Sequence, residues 1–253
     1  DATTLDGLVK EGKSDMTFAV AKGDVKKLSP ADQAMVGNRG IYELSIMSGN
    51  TTLSTFEGLV TVEVPYTLGA KEDPNAVIIY YVDGQGQLHT VANCTYHSDR
   101  KTVSFKTTHF STYAVAYNEK AFEDVAKTAW YEDAVSFIAA RGITGGVDGK
   151  HFAPQATLTR GQFLVMTMRA YGLDGTPAGL LGNGINNTVL KDNFADAGNT
   201  YYTPYLAMAK ALNLTKGVGD NRFAPDRAIT REEMAVLLVN ILKVMGDLPG
   251  TKV

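Results

Sequence analysis

Arg160 and Arg231 each follow a threonine, in Thr159–Arg160–Gly161–Gln162 and Thr230–Arg231–Glu232–Glu233. Threonine followed three residues later by glutamine or glutamate is a capping box, in which the two side chains satisfy free amides of a helix start. Each arginine is then the first helical residue, where a cation opposes the positive end of the helix dipole. Something anionic must compensate. Two sources are open: the carboxylate of Asp124 or Asp196, or an anionic ligand held by the arginine and the free amides.

The remaining chemistry-bearing residues form no catalytic pattern. His89, His97, His109 and His151 lack the close spacing of metal ligands, and no GxSxG nucleophile motif occurs. No pair of carboxylates is shown to converge as glycoside hydrolysis demands. Asp148–Gly149–Lys150 lacks the ligand series of a calcium loop and is better read as a glycine turn. Cys94 stands alone, which excludes an internal disulfide and a multi-cysteine metal site and predicts a buried thiol. No catalytic residue, metal or cofactor is therefore expected. With 24 basic and 27 acidic residues, the chain has no electrostatic footprint for nucleic acid. Its apolar runs, such as that around Val77 to Val82, fall far short of the roughly 20 residues that span a bilayer. A start at Asp1 without methionine is expected of a mature or excised piece of a longer precursor.

The elements that must position these residues fall into two textures, predicting an α+β chain of two domains. Residues 1–117 read as an antiparallel β-sandwich of about eight short strands. GLVTVEVPY, from Gly58, alternates through Val60, Val62 and Val64 until Pro65 ends the ladder. Residues 77–82 and 88–91 flank Asp83–Gly84–Gln85–Gly86 and predict a hairpin, while Ser29–Pro30 predicts a short capped helix. At residues 118–120 the period changes from two residues to 3.6, marking a linker. Beyond it, residues 128–141, 159–171, 201–213 and 230–245 have amphipathic helical spacing, and Gly142 and Gly246 follow two of them as stops.

The helical half is an internal repeat. GGVDGKHFAPQATLTRGQF, from Gly145, overlays KGVGDNRFAPDRAITREEM, from Lys216, without a gap at an offset of 71 residues. Gly146 and Gly217 open the loop, Phe152 and Phe223 are suited to plug a core, and Pro154 and Pro225 stiffen the exit. Upstream, Phe122-x-Asp124 corresponds to Phe194-x-Asp196, each followed by an aromatic pair, Trp130–Tyr131 or Tyr201–Tyr202. These spaced positions resemble the S-layer homology family across residues 121–245.

The resemblance implies a helical domain of pseudo-threefold form, of which two lobes are present: repeat 1 at 121–191, with an inserted loop at 172–191, repeat 2 at 192–246, and a tail at 247–253. It implies non-covalent binding of an anionic, often pyruvylated, secondary cell-wall polysaccharide, and an extracellular location at a bacterial cell wall or S-layer. Carried over, the carbohydrate role falls on Arg160 and Arg231, with Asp124 and Asp196 as polar partners. Gly146 and Gly217 would let backbone approach the sugar. Trp130 or Tyr131, and Tyr201 or Tyr202, would stack on pyranose faces or else pack in the core. Gly161 and Gln162 stand where the family usually has alanine and glutamate, which implies a weaker first site. A third repeat is expected elsewhere in the precursor or from a second chain. A structural lattice protein assembled through its repeats is the alternative.

For residues 1–117 the simplest role is a spacer. His109–Phe110–Ser111, however, resembles the tripeptide at which some self-cleaving β-domains break, serine attacking the preceding carbonyl. In one alternating strand Phe110, Thr112 and Ala114 would face one way and Ser111, Tyr113 and Val115 the other, as in any last strand.

Overall fold

A computed structural model describes residues 16–48, 51–53, 55–174 and 192–247. Most of the inserted loop and of the tail therefore lies outside the described residues, as do residues 1–15. The fold is α+β. Strands β1 (Met16–Lys22), β2 (Ile41–Ser48), β9 (Thr112–Tyr117), β5 (Val77–Val82) and β6 (Leu88–Val91) form one antiparallel sheet in that order, with β3 (Thr51–Leu53) on β2. Strands β4 (Thr55–Pro65), β8 (Thr102–His109) and β7 (Thr95–His97) form a second. The sheets share one core, in which Val64, Val103 and Phe105 of the second meet Ile79, Tyr113 and Val115 of the first. The rings of Phe105 and Tyr113 lie 4.5 Å apart.

Local chemistry accounts for the turns. Asp83 accepts from the amides of Gln85 and Gln87 and so closes the β5–β6 hairpin. Ser29 caps helix α1 (Pro30–Val36), with proline in its first turn. Burial pushes the Cys94 thiol up, which keeps it a protonated core residue.

The tripeptide at His109 is not part of a continuous strand. β8 ends at His109 in one sheet and β9 begins at Thr112 in the other, so Phe110 and Ser111 form the crossing between sheets. The hydroxyls of Thr107 and Tyr113 both donate to the His109 carbonyl, one peptide before the carbonyl that a serine attack would need. Neither Phe110 nor Ser111 has a positive φ. These contacts brace a chain crossing.

The helical half contains α2 (Glu132–Ala140), α3 (Arg160–Ala170), α4 (Thr203–Ala211) and α5 (Arg231–Met245). The aromatic pairs stand just before the first helix of each repeat, so α2 and α4 begin later than their spacing suggests. The two halves meet through α2. Ala140 belongs to the sheet core, and Arg141, 1% exposed, donates from Nε to the Cys94 carbonyl at 2.9 Å. Its other nitrogens donate to the carbonyls of Asn75, Val77 and Phe137 at 2.7, 3.0 and 3.0 Å, and its guanidinium lies 3.5 Å from the Phe137 ring centre. Carbonyl oxygens and the negative end of α2 thus replace the water this cation loses. The linker is tied as well: the Asn118 amide donates to Ala76, and its side chain to Ala140.

Arg141→Met should cost about 3 kcal/mol or more, because it leaves several buried carbonyls without donors. Urea unfolding checks this; a loss below about 1 kcal/mol would show that the junction does not depend on the guanidinium.

Candidate functional site

Both repeats are built by one device. Asp124 accepts from the amides of Phe152 and Ala153 at 2.8 and 2.7 Å, and Asp196 from those of Phe223 and Ala224 at 2.8 and 2.9 Å. Each carboxylate clamps a left-handed alanine, with φ of 57° at Ala153 and 58° at Ala224. The paired phenylalanines stack behind it, with 5.6 Å between ring centres in both repeats. Amide donation holds the Asp124 carboxyl below its usual range.

Both expected roles for these residues change. The aspartates are bound to backbone amides of their own repeat and are not the carboxylates that Arg160 meets. The glycines, with φ of 74° and 75°, admit backbone of the same repeat: a Cβ on Gly146 would sit 2.3 Å from the His151 carbonyl oxygen, and one on Gly217 2.1 Å from that of Arg222.

Arg160 finds its anion across the seam between repeats. Its side chain is 4% exposed; Nη1 lies 2.8 Å from Oε1 of Glu233, Nε donates to the Phe223 carbonyl at 2.9 Å, and the guanidinium sits 4.5 Å from the Phe223 ring centre. The helix-start amides are also committed. Arg160 donates to the Arg227 carbonyl at 2.9 Å and Gly161 to that of Pro225 at 2.8 Å, while Ile229 donates back to Leu158. Gly161 makes this approach close, since a Cβ would stand 3.2 Å from Pro225 and Tyr202. Both capping boxes form, Thr159 with Gln162 and Thr230 with Glu233.

Glu233 is the residue that local reasoning missed. It closes its own capping box and pairs with both Arg160 and Arg227. Arg160 and Arg227 thus share one carboxylate. Beside it, the Tyr202 hydroxyl donates to Asp226, while Tyr201 is 55% exposed. In repeat 1 Trp130 is 93% exposed and Tyr131 packs against the cluster of Phe122, Val135 and Ala139. One ring of each pair is therefore packed and the other presented to solvent. Arg231 is exposed, and its side chain has no hydrogen-bond or ion-pair partner among the described residues. A separate cleft of about 430 Å³ lies between the second sheet and the helices, lined by Cys94, Phe105, Lys106, Tyr171 and Met245. Asn93, also on its wall, commits both ends of its amide to the Lys106 backbone.

The sequence model of the S-layer homology domain matches residues 121–164 and 193–235. The chain is also similar to an amylopullulanase of Thermoanaerobacterium thermosulfurigenes, 28% identical over 80% of this chain and 10% of that protein. An S-layer protein of Bacillus thuringiensis subsp. finitimus is 32% identical over 54% of this chain and 15% of its own length. A protein of Bacillus anthracis named as an uncharacterized cell wall amidase is 29% identical over 52% of this chain and 23% of its own. The chain thus spans between a tenth and a quarter of the length of these relatives. It carries two S-layer homology domains.

Burial raises the Glu233 carboxyl, but the Thr230 amide, Arg227 and Arg160 outweigh it and hold the group at about 2. A carboxyl depressed on folding contributes stability above its unfolded value, near 4.5, and loses it as pH falls toward about 2. Glu233→Gln keeps a capping box of the kind Gln162 makes and removes the ion pairs. Urea unfolding at a series of pH values should show a shallower acid loss between about 4.5 and about 2 for this variant than for the unaltered chain. Parallel losses would mean that Glu233 does not hold the seam.

Proposed function

Starting from a cell-surface protein with two S-layer homology domains, we propose that residues 121–246 attach it non-covalently to an anionic secondary cell-wall polysaccharide, with ketal-pyruvate as the charged group. Residues 1–117 act as a spacer, and the chain works as an accessory anchor without catalysis of its own. The observation that carries this reading is an exposed ring, Tyr201, beside a seam where Arg160 and Arg227 share one carboxylate. A pyranose stacks its apolar face on such a ring, and a sugar-borne carboxylate meets the exposed guanidinium of Arg227.

The roles then divide. Tyr201 and Trp130 supply the stacking faces, while Arg227 and Arg231 supply exposed cations. Arg160 positions the seam from a buried site. Asp124, Asp196, Gly146, Gly217, Tyr131 and Tyr202 shape the repeats. The similarity to proteins named as an amylopullulanase, an amidase and S-layer proteins supports a shared attachment role, since it covers only a small fraction of each. A lattice protein that self-assembles through its repeats is the second reading; Val236, Leu238, Val239 and Val244 of α5, all exposed, favour it.

Co-sedimentation with purified wall sacculi separates the two. Binding should disappear when the secondary polysaccharide is stripped, and sedimentation indifferent to stripping would refute the anchor. Tyr201→Ala should weaken binding by up to about tenfold without unfolding the chain, the scale of one lost stacking contact. Phe223→Ala, a buried truncation costing roughly 3–5 kcal/mol, serves as the unfolding control.

A further inference from the structure

The sheets are held to the helical half on two sides of the cleft beneath the second sheet, and by unlike means. On one side α2 packs on the turn Pro74–Ala76, Ala140 enters the sheet core, and Arg141 is buried against carbonyls of both halves. On the other, repeat 2 meets the sheets through a single polar contact among the described residues. Lys106 Nζ, on β8, donates to the two carboxylate oxygens of Asp247, just past α5, at 2.8 and 3.0 Å. Between these ties lies the cleft of about 430 Å³, with Thr95 and Ser104 on one wall and Ile143, Tyr171 and Met245 on the other. It has room for on the order of ten water molecules, where a packed interior leaves few voids larger than one.

Local helix chemistry does not account for Asp247, because a carboxylate at a helix C-terminus faces the negative end of the dipole. Its place is nevertheless fixed. Gly246 takes φ of 69°, and the Asp247 amide donates to the Leu242 carbonyl at 2.9 Å. Lys106 is fixed as well. β7 pairs with β8 only over residues 102–104, and beyond its end the Asn93 side chain takes its place, bonded to the amide and carbonyl of Lys106 at 3.1 and 3.0 Å. Two stations with set backbones thus face each other across an open gap, bearing opposite charges. Their side chains are 36% and 35% exposed, so the pair is weak by itself and weakens further as salt rises.

We infer that Lys106 and Asp247 form a latch, sensitive to ionic strength, that holds the second sheet against repeat 2, and that the cleft widens when the latch parts while α2 stays docked on the sheets. The two ties differ in the way this requires. Arg141 is buried and its carbonyl partners carry no net charge, so salt leaves it closed; the exposed pair is the one that ions screen. Polysaccharide plays no part in the latch.

Single-molecule energy transfer in the whole chain tests this, with dyes on Asp99→Cys, in the turn before β8, and Val236→Cys on α5, both exposed and away from the latch; Cys94 is buried and takes no dye. With the Lys106–Asp247 pair intact, raising salt from about 20 to about 500 mM should increase the low-transfer population at least about twofold. Asp247→Lys, which suits the helix end and replaces attraction by repulsion, should be mostly in the low-transfer form at both salts. Adding Lys106→Glu reverses the pair and should restore both the high-transfer form at low salt and its loss at high salt. A transfer efficiency that ignores salt with the pair intact, an Asp247→Lys chain as closed as its parent, or a reversed pair that stays open would each overturn the latch.

Discussion

A guanidinium can leave water only where its N–H groups meet oxygens in fixed places, and Arg160 imposes that condition on both repeats. Its partners are the Phe223 carbonyl and Glu233, with the Phe223 ring packed beneath. The Phe223 carbonyl is in turn held because the amide of the same residue is clamped by Asp196. Glu233 is held because it closes the cap on Thr230. The order of dependence therefore runs from arginine to loop, from loop to aspartate, and from aspartate to the Phe194–Phe223 pair inside the helical core. Gly161 belongs to the same seam, where a Cβ would press on Pro225 and Tyr202 at 3.2 Å.

What was legible in the sequence was what depends on neighbours in the chain. The β5–β6 hairpin and the capping boxes follow from spacing over a few residues, and the described residues carry them. The duplication also led correctly to Phe223 as a core plug. A cation at the start of α3 needs an anion, but the one that Arg160 meets lies on the next repeat, and no local pattern distinguishes Glu233 as cap from Glu233 as ion-pair partner.

Where residues from distant segments converge, the local pattern misleads or carries no signal. Alternation around His109 reads as one strand because periodicity does not reveal that its two ends join different sheets. Arg141 reads as the last residue before a glycine stop; its acceptors at Asn75, Val77 and Cys94 lie in the other half of the chain, out of reach of any spacing rule. Gly146 and Gly217 announce a close backbone approach, and the geometry supplies the identity of the approaching atoms: carbonyls of their own loops.

The junction at Arg141 also has a mechanical meaning. A short connector such as residues 118–120 would, if free, act as a swivel, and a load pulling on the sheets would reach the repeats only as tension along one strand of chain. Here Asn118 is tied at both its backbone and its side chain, and a buried cation grips carbonyls at the base of the sheets from the end of α2. A sideways load is therefore passed on as torque through packed atoms. If the repeats anchor the protein as proposed, they also set the direction in which the sheets project.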